Sequence, residues 1–272
     1  NITCLVTVGV FALLGVSIQA QTPYAADDQT LFLYHLDEDP SEVTAVDSSG
    51  NHRDAIYGSA TQTGQSSLKG LGSSAKTSGK LEGRITWKDD SATDGRNSLL
   101  YKLPREEFTI EAWVKPDEDF KKFTSGNRFL VVIQPEGVGF ADLSLSVLAD
   151  AGRYYLALGD GNGPNRVWTH TIPLEWEIGQ WYHVAVTAEP VAPKQWNYKF
   201  YLGRAGDPAM ATAIHSSTNT PLVGRDDLDQ PRTLEIGNYY GNNGESFFPG
   251  QVDEVRISNT LRTEFETLNT PP

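Results

Sequence analysis

Four side chains that together could bind a sugar lie on segments with β-strand character: Glu111, Trp113, Tyr155 and His183. Apolar residues occupy the alternate positions of these segments, so the four side chains point away from the side that packs in a core. An aromatic ring offers an apolar surface to a sugar ring, while a carboxylate and an imidazole can bind its hydroxyls. The pattern predicts a shallow carbohydrate-binding groove on the outer faces of the strands.

The same residues also allow a purely structural interpretation, in which Trp113 and His183 pack under neighbouring loops as a second, smaller core. Two further aromatic residues, Tyr239 and Tyr240, stand in the Gly- and Asn-rich segment "NYYGNNGESFF" at 238–248. They predict a ligand-binding loop on a rigid scaffold. The Gly and Asn residues of this segment are typical of turns with positive φ and imply no ligand by themselves.

Glu111 is the one acidic residue of its strand, "FTIEAWVKP" at 108–116. A retaining glycoside hydrolase needs two carboxyl groups about 5 Å apart, and positions 113 and 115 supply no second acid. The sequence therefore favours binding without catalysis. A glycan-cleaving enzyme that uses Glu111 and His183 is the alternative, and the formation of new sugar chain ends would distinguish the two.

Two adjacent acids, Asp253 and Glu254, interrupt the apolar pattern of "PGQVDEVRIS" at 249–258. Successive side chains of a strand point to opposite faces, so at least one of the two acids faces inward. An ionised carboxylate is not buried alone. The alternation also places Arg256 on the face of Glu254, so Asp253 requires another compensating group.

Short β-branched and aromatic runs, broken by Gly, Asn, Asp and Pro, extend along most of the chain. This pattern is typical of an all-β sandwich or barrel, and such folds reach this length as one domain. Residues 59–80 are rich in Ser, Gly and Thr and predict a long surface loop. The strands predicted from the pattern include 30–38, 80–87, 97–103, 108–116, 128–134, 141–150, 153–161, 180–189, 197–203, 232–239 and 249–258.

The first 20 residues have a different composition. No charged residue precedes Asp27, and the apolar run ends in "SIQA", which resembles a secretory signal peptide with a small-residue cleavage site. The run is short for a membrane anchor, which is the alternative. We therefore expect a signal peptide at 1–20, truncated at its N-terminus, then a short leader at 21–30. The mature chain would lack Cys4, the single cysteine, and would be secreted, extracellular or periplasmic, without membrane insertion.

The net charge of the chain is −13. Nucleic acids and anionic membrane surfaces require a basic patch, so the charge argues against both as partners. It fits a soluble protein, including one that holds a divalent cation.

Four stretches together resemble the laminin G-like branch of the concanavalin A-like lectin/glucanase superfamily: "LFLYHLDE…AVDSSGNHRDA", "FTIEAWVKP", "GQWYHVAVT" and "LEIGNYYGNNGESFFPGQVDEVRIS". The resemblance implies a two-sheet antiparallel jelly-roll sandwich over residues 31–268. It also implies a structural calcium ion that joins the last strand to the N-terminal one. Asp253 would bind it together with oxygen-rich partners from the N-terminal part, among which we predict Asp37, Asp47 and Asn51.

This fold hosts sugar-binding modules, adhesion modules and glycan-cleaving enzymes, so the resemblance leaves the function open. Lyases of this fold use His, Tyr and Arg, and Tyr155 and His183 match part of such a set. The sequence favours a secreted, non-catalytic module that binds a glycan or a glycosylated surface. The alternatives are a glycan hydrolase or polysaccharide lyase, and a structural adhesion module with a protein partner.

Overall fold

The computed structural model describes residues 21–78, 81–90, 98–137, 141–159, 168–192, 195–205, 212–219, 230–239 and 246–265. The predicted signal peptide and Tyr240 lie outside these ranges. Within the ranges, no helix has the length and apolar character needed to cross a bilayer.

Strands dominate the described part of the chain. In chain order they are β1 (Thr30–Tyr34), β2 (Thr44–Ala45), β3 (Ala55–Tyr57), β4 (Gln62–Ser66), β5 (Ser73–Lys76), β6 (Ile85–Lys88), β7 (Phe108–Pro116), β8 (Ser125–Pro135), β9 (Leu143–Asp150), β10 (Arg153–Gly159), β11 (Trp168–His170), β12 (Tyr182–Ala192), β13 (Gln195–Arg204), β14 (Thr212–Asn219), β15 (Arg232–Ile236) and β16 (Gly250–Ser258). A short helix α1 (Leu99–Lys102) and 3₁₀ turns at Leu81–Gly83, Leu103–Arg105 and Phe120–Lys122 complete the elements.

The strands form two sheets whose described pairs are all antiparallel. Sheet A has the order β14-β13-β12-β7-β16-β5-β4, and β1 also pairs with β16. Sheet B has the order β11-β10-β9-β8-β15-β6-β3-β2. The predicted all-β, two-sheet jelly-roll sandwich is confirmed.

The main core lies between the sheets and follows the predicted alternation. Phe108, Ile110 and Val114 of β7 belong to it, as do Val184 and Val186 of β12. Burying a side chain of this size stabilises the fold by about 1.5–3 kcal/mol. The residues between them therefore point to the outer sides of the sheets, which is where a ligand could bind.

Two predicted elements differ from the structure. Residues 59–80, expected as a surface loop, contain β4 and β5, which extend sheet A beyond β16. Residues 97–103, expected as a strand, instead contribute the helix α1. Ser98 caps this helix by accepting a hydrogen bond from the Leu100 N–H at 3.2 Å, and its own hydroxyl lies 2.7 Å from Asp89. A short apolar run does not distinguish a strand from a buried helix.

Candidate functional site

The predicted sugar-binding residues lie on opposite sides of the sandwich. We call the outer side of sheet A around Glu111, Trp113, His183 and Arg256 the A face. Tyr155 belongs to sheet B, and its neighbours Tyr154 and Leu156 point into the main core, so its own ring lies on the outer side. The predicted set therefore does not form one site.

The A face has a buried ionic cluster at its centre. Oε1 of Glu111 accepts a hydrogen bond from Nε of Arg256 at 2.7 Å, and Oε2 lies 3.2 Å from Nε2 of His183. Burial alone would raise the pKa of Glu111, but the hydrogen bond with His183 and the charge of Arg256 outweigh it and lower the pKa. Glu111 is thus held as a carboxylate within the fold.

The open groove expected on the A face is not formed. Trp113 is 1% exposed and His183 is fully buried. Tyr24 of the leader lies over His183 with 6.1 Å between the ring centroids, and Phe265 lies over it from the C-terminal side at 5.2 Å. The face is therefore a second core, and a sugar could reach these side chains only if the covering segments moved.

The leader is fastened over the A face by hydrogen bonds. The Tyr24 N–H donates to Oε2 of Glu254 at 2.7 Å, and Nη1 of Arg256 donates to the Ala25 carbonyl at 3.1 Å. The Arg256 guanidinium also stacks on the Tyr24 ring, 4.5 Å from its centroid. Through these contacts, the polar leader predicted at 21–30 packs on sheet A as an integral part of the folded domain.

A row of outward-facing residues crosses sheet B. Neighbouring strands place five residues directly opposite one another in the order Ile56, Thr86, Glu235, Val132 and Ser144. Directly paired residues share one face of a sheet. We call the outer side of sheet B that carries this row the B face.

A cleft of about 320 Å³ opens at one end of this row. Its lining combines one apolar side chain with charged and hydroxyl groups, contributed by Ile56, Gly58, Ser59, Glu82, Arg84 and Thr86. Ile56 is 55% exposed, although it is a large apolar residue in a strand. A cleft of this composition can contact the C–H surface of a sugar ring and bind its hydroxyls.

Ion pairing fixes the polar groups of the cleft. Nε of Arg84 lies 3.4 Å from Oε1 of Glu235 and 3.3 Å from the Thr86 hydroxyl. Glu235 is only 2% exposed and is not among the residues that line the cleft, so its carboxylate holds Arg84 in place and does not itself face a ligand. A charged pair in a rigid sheet offers hydrogen-bond donors and acceptors whose positions do not depend on a ligand.

A close backbone approach shapes the same cleft. A Cβ atom on Gly58 would lie 2.0 Å from the Glu82 carbonyl oxygen. The position therefore accepts only Gly without displacing the turn at Leu81–Gly83. This residue, like Ile56 and Arg84, was not among the predicted site residues.

The predicted aromatic residues on sheet B have different environments. Tyr155 is half-buried, and its ring meets that of exposed His170 edge-on with 5.0 Å between centroids. Tyr239 is 4% exposed and packs on Phe129 with 4.8 Å between ring centroids. Tyr155 is therefore accessible to a ligand, whereas Tyr239 is part of a small apolar cluster.

Of the four predicted metal ligands, Asp253 and Asp37 lie close enough to repel each other. Asp253 is fully buried, and the Ser67 hydroxyl donates a hydrogen bond to it. Burial, together with the charges of Glu254 and Asp37, raises the pKa of Asp253 well above its ordinary value. Among the ion pairs of the described residues, none joins Asp253 to a Lys or Arg.

Asp47 and Asn51, the other two predicted ligands, make hydrogen bonds that hold the segment between β2 and β3. Oδ1 of Asp47 accepts hydrogen bonds from the N–H groups of Leu33 and Ser49, and Oδ2 accepts them from the Arg53 N–H and the Ser49 hydroxyl. The amide of Asn51 donates to the Thr30 carbonyl at 2.9 Å. Both oxygens of Asp47 are therefore engaged in hydrogen bonds within the protein, and the metal-binding role of Asp47 and Asn51 stays a prediction.

A β-bulge also changes the expected geometry of β16. Asp253 lies opposite Trp113, and Arg256 lies opposite Glu111, so both point to the A face although three positions separate them. The register shifts between them, and Glu254 has the left-handed φ of +49°. Arg256 therefore shares a face with Asp253, contrary to strict alternation, but its guanidinium pairs with Glu111.

The bulge gives Glu254 partners that the sequence did not indicate. Its Oε1 lies 2.7 Å from Nδ1 of His35. The hydrogen bond to Glu254 raises the pKa of His35. The two residues are 219 positions apart, and no local pattern links them.

Asp253 and Asp37 fit part of a calcium site, since calcium prefers carboxylate and carbonyl oxygens. Six to eight oxygens are needed, and among the described residues no group of three or more His, Cys, Asp or Glu side chains is arranged to hold a metal. The fully buried Asp253 carboxylate is the feature that such an ion would compensate.

Comparison with solved structures shows the same fold at low sequence identity. The structure HCR/D-Sa-GBL1/C has 13% identity and a TM-score of 0.52 over 85% of this chain. The botulinum neurotoxin serotype D binding domain has 14% identity and a TM-score of 0.50 over 88%. The chain spans 49% of the length of each. The CBM2 module of the Lactobacillus casei BL23 phage J-1 evolved Dit, with 11% identity and a TM-score of 0.44, is matched over 86% of this chain and 98% of its own.

Among curated protein sequences, no significant match was found. A laminin G family model, described as "Concanavalin A-like lectin/glucanases superfamily", matches residues 90–266. The matched region contains β7 to β16 and therefore most of both sheets. The chain belongs to the concanavalin A-like lectin/glucanases superfamily.

Proposed function

We propose that this domain binds carbohydrate, on a free glycan or a glycosylated surface, through the cleft at Ile56 on the B face. The observation that supports the proposal is the combination of an exposed apolar side chain with the Arg84–Glu235 pair and the Thr86 hydroxyl in one cleft. Because this fold hosts many functions, the cleft and not the family supports carbohydrate binding.

The proposed binding is non-catalytic, and an assay for glycan cleavage products tests whether this is so. Glu82 is the one carboxylate among the described residues that line the cleft, whereas a glycoside hydrolase uses a pair. Glu235 is close to the cleft but is buried and paired with Arg84. Incubation with bound glycans should release no new reducing ends and no unsaturated uronates.

Titration of an immobilised glycan library, followed by calorimetry on the glycans that bind, tests the site. Ile56→Ser should weaken binding by about 1 kcal/mol, or roughly fivefold, because part of the apolar contact with the sugar is lost. Val191→Ser is the matched control, since Val191 is 47% exposed at the end of β12 in sheet A. Equal affinities of the two variants would place the ligand elsewhere.

We also propose a structural calcium ion at Asp253 and Asp37. The support is the buried Asp253 carboxylate, whose nearby charges, those of Glu254 and Asp37, are negative as well. A cation would offset this repulsion and fasten β16 to the segment that follows β1. Secretion and cleavage after residue 20 stay predictions from the sequence.

A further inference from the structure

Two cations on the β6 side of the B face, Arg84 and Lys88, are paired with carboxylates. Arg84 lies 3.4 Å from Glu235. Nζ of Lys88, which lies opposite outward-facing Thr233, is 2.9 Å from Asp90 and 3.0 Å from Glu136. Three carboxylates therefore pair with these two cations, and Glu82 adds another negative charge to the lining of the cleft.

An acidic sugar would have to displace these partners. A uronate or sulfate bound at Arg84 would compete with Glu235, which is 2% exposed and would lose the compensation that Arg84 gives its buried charge. At Lys88 it would meet two carboxylates already in place. The surplus of negative charge near the cleft, within a chain of net charge −13, also repels an anionic ligand over several ångströms.

A neutral sugar meets none of these costs. Its hydroxyls can donate to Glu82 and accept from Arg84 without breaking the Arg84–Glu235 pair, because a guanidinium has five donors. Its C–H surface can cover part of Ile56, which is 55% exposed. We infer that the ligand is a neutral, hydroxyl-rich glycan, and that uronate-containing, sulfated and sialylated glycans are excluded by the charge of the cleft. This inference rests on the proposed carbohydrate binding.

A glycan microarray that contains neutral and acidic glycans, probed with the wild-type chain, is the first test. The inference predicts binding to neutral glycans only, with affinities that change by less than about twofold between about 0.05 M and about 0.5 M NaCl. Binding that is confined to acidic glycans and weakens with salt would overturn the inference and leave the proposed function in place. Binding to no glycan at all would overturn both.

Two charge-reversal variants test the mechanism of exclusion. Glu82→Lys should allow acidic glycans to bind, with at least about tenfold weaker binding at the higher salt concentration, because the lining of the cleft then loses a negative charge and gains a positive one. Glu118→Lys is the control, since Glu118 is exposed in the loop after β7. If both variants bind acidic glycans equally, or if neither binds them, the charge of the cleft does not exclude acidic glycans and the inference is wrong.

Discussion

Glu111 shows how a single carboxylate organises the A face. It is 1% exposed and paired with Arg256 and His183, so its charge is satisfied entirely within the fold. Truncation of one partner of a buried pair leaves the other charge uncompensated. The role of Glu111 in this structure is therefore to hold β7, β12 and β16 together at their outer sides.

Glu111→Ala should lower the free energy of unfolding by about 3–5 kcal/mol at neutral pH, since Arg256 would be left without its carboxylate. Urea denaturation measures this directly. Glu118→Ala is the control and should change stability by less than about 0.5 kcal/mol. A loss below about 1 kcal/mol for Glu111→Ala would show that the A face is open in solution.

Asp253 should make the metal-free protein more stable in mild acid. Its pKa in the folded chain is raised above the ordinary 3.8. The stability that its protonation adds to the folded state is therefore fully present below the ordinary pKa and is lost as the pH rises through the folded-state pKa. Melting temperatures in chelator should rise from about pH 7 toward about pH 5, and Asp253→Asn should reduce this rise. An identical pH dependence in the variant would contradict the assignment.

Calcium should act on the same carboxylate at neutral pH. An ion that binds only the folded state raises the melting temperature as its free concentration increases. The wild-type chain should therefore melt higher in excess calcium than in chelator, and Asp253→Asn should lose most of this response. Identical wild-type melting curves in the two conditions would reject the site.

Among the elements, the leader at 21–30 has a structural role that the sequence did not indicate. It has no strand of its own before β1, yet Tyr24 covers His183 and stacks on Arg256. Strand alternation in β7 and β12 correctly predicted which of their residues leave the main core. It did not predict what covers them, because the covering segments lie more than 80 positions from His183.

Tyr24→Ala should destabilise the chain by about 1–3 kcal/mol, since it removes an aromatic contact and a cation–π contact at once. Tyr155→Ala is the control on the B face, where the ring is half-buried and should contribute less. Chemical denaturation of both variants compares the two faces. Equal losses would mean that the leader is not fastened over the A face.

The strands differ in how clearly the sequence predicts them. The strands β7, β9, β10 and β12 are long and alternate clearly, and their predicted positions are confirmed. The strands β4 and β5 read "QTGQS" and "SSAK", which carry little apolar periodicity, and they were expected as a loop. Backbone pairing of β5 with β16 holds them in sheet A, with β4 paired to β5, and the pairing with β16 over such a distance along the chain leaves no local signal.

At the scale of the whole molecule, the two outer faces are differently organised. The A face is closed by the leader and by the segment around Phe265, whereas the B face carries an open cleft at β3 and β6. The cleft could not be predicted because Ile56 and Thr86 are individually ordinary residues of two short strands, and Arg84 directly precedes the second. They come together only through the order of strands in sheet B.

Hydrogen exchange of backbone amides, measured with and without a bound neutral glycan, shows which face binds the ligand. If the B face binds it, exchange should be slower in β3, in β6 and in the turn at Leu81–Gly83 when the glycan is present, and unchanged in β7 and β12. Slower exchange confined to β7 and β12 on glycan addition would place the ligand on the A face and would contradict the proposed site.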